Sequence, residues 1–127
     1  MASIVLDASV VLAHLGQEPG SERAEEFFGD ALLSAINHAE VVTKLVERGA
    51  DLPLIRTALA RYGIEIVAFE EDQAERAGAL RAETRGLGLS LGDRACIALA
   101  IRFALPVLTA DKMWKALDLP IEVQLLR

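Results

Sequence analysis

Apolar positions along this chain come in short runs that alternate between continuous and helical spacing. Ser3 to Leu6 (SIVL) is short and apolar up to Asp7, which predicts a buried strand, and the run Val10 to Leu15 that follows Asp7-Ala8-Ser9 predicts a helix. A Pro/Gly turn spans Gln17 to Ser21, Glu22 to Phe28 reads as a second, amphipathic helix, and Ala31 to Ala35 as a second strand. Asn37 opens a helix whose Val41, Val42, Leu45 and Val46 form one stripe, stopped by Gly49, and Leu52 to Tyr62 carries another, ended by Gly63. Ile64 to Phe69 (IEIVAF) alternates as a strand, and Glu70 to Arg85 is a long polar helix with Ala74, Ala77 and Leu80 on one face, closed by Gly86 and Gly88. Gly92 to Phe103 is apolar almost all round, as a buried helix is. Pro106 to Leu108 is a strand, Thr109-Ala110-Asp111 a turn, Lys112 to Leu117 a short helix, and Ile121 to Leu125 a last strand.

Strands that alternate with helices imply a mainly parallel sheet, here of four to five strands, covered on both faces in a three-layer α/β/α fold. With 127 residues and no linker, repeat or low-complexity segment, a single domain over 1–127 is expected. Apolar residues make up 53% of the chain and mean hydropathy is +0.33, so the surplus goes into a sheet buried on both faces and into an oligomer interface. Apolar runs such as Phe103 to Leu108 fall far below the roughly 18 residues of a membrane span. The N-terminus lacks a basic segment and Asp7 interrupts the apolar stretch after it, so no signal peptide is expected. The single cysteine, Cys96, excludes an internal disulfide and suits a reducing cytoplasm. A net charge of −6 runs against the basic stripe of most nucleic-acid binders, unless carboxylates are gathered to hold divalent cations.

Four acids invite that second reading. Each has a purely structural explanation: Asn37-x-x-Glu40 and Ser90-x-x-Asp93 match the capping-box pattern, while Asp7 and Asp111 follow strands and can cap the next helix. In a parallel α/β sheet, however, every crossover helix begins where a strand ends. Ligands bind outside that carboxyl edge, where the strand order reverses. Asp7 ends the first strand, Glu40 lies at the start of the helix after the second, Asp93 starts the helix before the fourth, and Asp111 follows the fourth. If those strands are adjacent, the four acids converge. At about 4 Å and an effective dielectric near 20, each close pair of carboxylates costs roughly 4 kcal/mol, whereas a helix N-terminus returns about 0.3 to 1 kcal/mol. A hard divalent cation such as Mg²⁺ supplies the missing positive charge. Nothing in the chain suggests zinc, since it has no paired cysteines and no His-x-x-x-His. A bound cation activates water for attack on phosphorus, and Asp93 or Asp111 is the candidate to orient that water.

The stretches IVLDASVVLAHL, SAINHAEVVTKL, LSLGDRACIALA and PVLTAD resemble, in order and spacing, the four signature segments of PIN-domain nucleases, nearest to the VapC-like toxins of toxin–antitoxin pairs. The resemblance implies a Mg²⁺- or Mn²⁺-dependent endoribonuclease acting on an RNA substrate, commonly a homodimer, inhibited by a cognate antitoxin protein. By position, Asp7, Glu40, Asp93 and Asp111 match the family's acidic ligands, and Ser9 and Thr109 its hydroxyl positions near the metal and scissile phosphate. One departure is Met113, which stands where many members carry a further acid and puts a second metal in doubt.

Other residues have plainer expected roles. His14 is expected to face the last carbonyls of the first helix, His38 to be a surface residue or to lean over the pocket, and Cys96 and Trp114 to pack. Arg94, Lys112 and Lys115 flank the acids and are candidates for RNA phosphates, with solvated charge as the plain alternative. Three rival functions stay open: a housekeeping RNA-processing or DNA-directed nuclease, a receiver-like signalling domain, and a non-catalytic scaffold. The receiver reading lacks a clear phosphorylatable acid after the third strand, where the sequence runs Phe69-Glu70-Glu71-Asp72.

Overall fold

A computed structural model describes residues 1–127. Five strands, β1 (Ile4–Leu6), β2 (Ala31–Ser34), β3 (Glu65–Val67), β4 (Val107–Thr109) and β5 (Val123–Leu125), form one sheet in the order β3-β2-β1-β4-β5. Every pairing is parallel, with Val5 beside Leu32 on one side and beside Val107 on the other. The helices are α1 (Ala8–Leu15), α2 (Ala35–Glu47), α3 (Leu52–Ala60), α4 (Glu71–Thr84) and α5 (Leu91–Phe103).

Alternation along the strands divides the core in two. Ile4, Leu6, Leu33 and Leu108 pack with Val10, Val11 and Val41 on the face covered by α1 and α2. Val5, Leu32 and Val107 pack with Ala77, Leu80, Cys96, Ile97 and Leu99 on the face covered by α4 and α5, where Trp114 is also fully buried. Two core faces explain why β1 and β2 are buried at every position, with Ile4 to Leu6 and Ala31 to Leu33 apolar throughout instead of alternating. Three layers with a parallel sheet are the expected architecture. Because β1 lies between β2 and β4, the strand order reverses at β1, and the ends of these three strands share one edge.

Local differences from the sequence reading have physical causes. Glu22–Phe28 does not form an α-helix; Ser21–Glu26 and Phe28–Asp30 are two 3-10 turns. A segment this short between Gly20 and Gly29 gains too few α-helical bonds to offset nucleation. The second helix begins at Ala35, two residues before Asn37, because Ser34 is its cap: Ser34 Oγ accepts from the Ile36 N–H at 3.2 Å. Asn37 and Glu40 are therefore not a capping box. On α4 the buried face is Gln73, Ala77, Leu80 and Thr84, and Ala74 is exposed. The segment after Asp111 is a 3-10 turn, Lys112–Ala116.

Candidate active site

Asp7 occupies the first position after β1 and is 5% exposed. Its backbone N–H donates to the Leu108 carbonyl at 3.0 Å, which fastens the end of β1 to β4. Although it stands at the cap position of α1, its side chain makes no capping bond. Instead Oδ2 accepts from the Ser9 hydroxyl at 2.7 Å and from the Thr109 hydroxyl at 3.1 Å. Those hydroxyl oxygens in turn accept the backbone N–H groups of Ala110 (3.0 Å) and Asp111 (3.1 Å), so their own hydrogens are left to point at Asp7. Ser9 and Thr109 thus hold the carboxylate and tie the β1 and β4 loops together. Burial raises the Asp7 pKa to about 6; the Ser9 bond opposes this, Asp93 raises it further, the Thr109 bond opposes, and Glu40 raises.

The other three acids reach the same edge. Glu40, one turn into α2, accepts at Oε1 from the Asn37 amide at 2.9 Å. Asp93 forms the expected capping box: its N–H donates to Ser90 Oγ at 3.1 Å, and its Oδ2 accepts from the Ser90 N–H at 3.0 Å. Asp111 caps the turn after β4, with Oδ1 accepting from the Met113 N–H at 2.9 Å. Structural and functional readings meet here. Each carboxylate has one oxygen fixed by the protein, while the second accepts no hydrogen bond from it. Both Asp93 and Glu40 bear electrostatically on Asp7 and on the Cys96 thiol, which lies beneath them.

In this side-chain arrangement no three His, Cys, Asp or Glu residues are close enough to ligate one ion directly. The chemistry of the donors still selects the cation. Carboxylates and hydroxyls are hard oxygen ligands, and Mg²⁺ takes one or two carboxylates directly while reaching others through its retained waters. The set fits a hard divalent cation.

Elsewhere the structure reassigns several side chains. His14 does not face the last carbonyls of α1: Nε2 donates to Glu25 at 2.9 Å, which leaves Nδ1 to accept the Tyr62 hydroxyl at 2.8 Å. His38 is half-buried in an apolar groove with Val41, Leu59 and Ile64, away from the acids. Arg94 turns back onto α4, donating to the Ala77 carbonyl at 2.9 Å, and Lys115 donates to the Val123 carbonyl at 2.6 Å. Of the three cations expected at the rim, Lys112, which is exposed, is the one that makes no such bond. Cys96 and Trp114 are buried, as expected. Sequence reasoning missed Asn37 as a contact of Glu40, and it missed Gly92 altogether.

A family model described as "PIN domain" matches residues 4–119. The chain belongs to the PIN-domain family. Solved structures with the same PIN fold include a chain of a toxin–antitoxin complex from Klebsiella pneumoniae (24% identity, TM-score 0.75, covering 94% of this chain and 99% of that one). A chain of DNA-bound VapBC from Salmonella typhimurium is similar over 100% of both chains at 17% identity and TM-score 0.74. VapC20 of Mycobacterium tuberculosis, a sarcin-ricin loop cleaving toxin, is similar at 17% identity and TM-score 0.71, over 94% of this chain and 99% of that one. No curated protein matches the chain. No helix of this PIN domain is long and apolar enough to cross a membrane.

Proposed function

We propose that this single PIN domain is a Mg²⁺- or Mn²⁺-dependent endoribonuclease and the toxin of a toxin–antitoxin pair. The reading is supported by the position of Asp7, Glu40, Asp93 and Asp111 along the edge where the strand order reverses, each with one oxygen held and the other accepting no hydrogen bond, and by the charge of Asp93 and Glu40 acting on Asp7. Asp7, Asp93, Glu40 and Asp111 would hold the cation. When bound, it would activate water and offset charge on the phosphoryl oxygens.

The protein's own groups do the remaining work. Ser9 and Thr109 fix Asp7 through Oδ2 and leave Oδ1 without a hydrogen bond, and either hydroxyl can turn to a phosphate oxygen once Asp7 is engaged. Asp93 and Asp111 are the candidates to orient the attacking water, since both lie at the rim. Lys112 is the exposed cation nearest in sequence to the acids and the candidate for an RNA phosphate. The likeness to chains of toxin–antitoxin complexes favours a toxin over a housekeeping nuclease, and a cognate antitoxin is the partner expected with it. A basic antitoxin side chain entering the acidic pocket would compete with the cation, as Arg pairs well with carboxylates.

The test is cleavage of total cellular RNA by purified protein with Mg²⁺, Mn²⁺ or excess EDTA, with mapping of product ends. Metal-dependent products with 5′-phosphate and 3′-hydroxyl ends are expected. Cleavage that persists in EDTA, or ends in 2′,3′-cyclic phosphate, refutes the mechanism.

A further inference from the structure

Glu40 is the one acid of the four that reaches the edge from inside a helix, so neither a strand end nor a cap sets its position. Two residues that lie 55 positions apart from each other do so. On one side is Asn37, fully buried, one turn earlier on α2. Its Nδ2 donates to Glu40 Oε1 at 2.9 Å and to the Gly92 carbonyl at 2.9 Å. Both amide hydrogens are thus used, on a carboxylate of α2 and on the backbone of α5. Its Oδ1 is buried without a partner, an arrangement that a side chain present only for packing would avoid. No other residue of this size supplies two donors in one plane: Asp would oppose acceptors with acceptors, and Ser would offer a single hydrogen.

On the other side is Gly92, in the first turn of α5. A Cβ there would overlap the Glu40 carboxylate, with Oε1, Oε2 and Cδ all inside contact distance. Glu40 therefore lies directly over the backbone of the first turn of α5, where the unpaired N–H groups favour negative charge. Gly92 has an ordinary negative φ, so no backbone conformation demands glycine at this buried position. Admitting the carboxylate supplies a reason for it.

We infer that Asn37 and Gly92 are positioning residues that seat the Glu40 carboxylate at the metal site, Asn37 by clamping one oxygen and Gly92 by leaving room for the group. This rests on the metal-site reading above. The test measures Mn²⁺ affinity by titration calorimetry, up to millimolar metal, and urea unfolding in EDTA. The proteins are wild type, Gly92→Ala, Asn37→Ala, Glu40→Ala and the Glu40→Ala/Gly92→Ala double variant. Gly92→Ala is expected to weaken Mn²⁺ binding at least tenfold, to a level close to that of Glu40→Ala. In the Glu40→Ala background the same glycine substitution should weaken it no further. In EDTA it should raise the urea midpoint once Glu40 is absent, and raise it less or lower it when Glu40 is present. Asn37→Ala gives an independent arm with the same expected loss of Mn²⁺ affinity, should the glycine variant fold poorly.

Wild-type affinity in Gly92→Ala, or an equal loss with and without Glu40, overturns the inference and leaves the metal site standing. A wild-type protein that takes up no Mn²⁺ removes the metal reading and this inference with it.

Discussion

Asp7→Asn separates a metal ligand from a structural acid more sharply than any other single change. Asp7 is buried, caps nothing, and its pKa is raised from the ordinary 3.8 to about 6, mainly by desolvation. Each tenfold change in proton affinity is about 1.4 kcal/mol, so the ionised carboxylate costs the folded, metal-free protein about 3 kcal/mol. The sign follows from proton binding. Between pH 4 and 6 the folded state holds the Asp7 proton and the unfolded state has lost it, so stability falls as pH rises through this window. Below the unfolded pKa the cost is absent, near pH 5 roughly half has appeared, and above pH 7 all of it has. The amide variant keeps an oxygen to accept the Ser9 and Thr109 hydroxyls and never ionises. It should therefore be more stable than wild type at pH 8 in EDTA by about 3 kcal/mol, on the order of 10 °C in Tm. At pH 5 the advantage should shrink to roughly half. Urea unfolding of both proteins at the two pH values measures this, and any effect of shape cancels in the difference between them. Wild type should recover stability with Mn²⁺ and the variant should not. An Asp7→Asn protein equal to or weaker than wild type at pH 8 in EDTA, with no change between the two pH values, refutes the reasoning.

At Asp93 the cap and the charge can be parted: Asp93→Asn keeps an acceptor for the Ser90 N–H and should unfold within about 1 kcal/mol of wild type in EDTA, whereas Asp93→Ala loses the cap at about 0.5 to 2 kcal/mol. Both should lose Mn²⁺ binding and RNA cleavage, and near wild-type cleavage by Asp93→Asn would return this residue to a capping role alone. A homodimer through the helices between Asn37 and Arg61 is expected from the exposed Val46, Leu52 and Leu54, the last 61% exposed. Leu54→Asp should convert it to monomer by light scattering, and a wild type that is monomeric at hundreds of micromolar counts against the interface.

Much of this was legible because it is local. The apolar run Ile4–Leu6 ending at Asp7, the Ser90-x-x-Asp93 box and the turn at Asp111 are each written within a few residues, and the alternation of strands with helices put those ends on one edge. What escaped depends on side chains meeting across the fold. Asn37 and Gly92 are 55 positions apart, and their bond exists only because α2 packs on α5. Gly92 left one trace, a glycine near the start of an otherwise apolar, buried helix. His14 gave no sign that Glu25 and Tyr62 would take both ring nitrogens, since neither lies on its own helix. Arg94 reads as a rim cation from its place beside Asp93. It turns away because the Ala77 carbonyl on α4 offers a partner at 2.9 Å.

Capping and metal binding first look like competing explanations of the same acids, but the parallel sheet makes one grow out of the other. Its carboxyl edge gathers helix and turn N-termini, and those favour acids for reasons of backbone hydrogen bonding alone. Asp93 and Asp111 answer that local demand with one oxygen each, and the second oxygen of each accepts no hydrogen bond from the protein at that same edge. The cost of the assembly is not shared evenly. Asp93 and Asp111 sit toward solvent at the rim, whereas Asp7 is enclosed between β1 and β4 with no helix N–H to help it, and its proton affinity rises accordingly. Ser9 and Thr109 oppose that rise with two hydroxyl bonds and do not cancel it. A buried acid held in place, partly destabilised and free at one oxygen has more to gain from a cation than the other three, so on the proposed metal-site reading Asp7 is the residue expected to couple metal binding to folding stability.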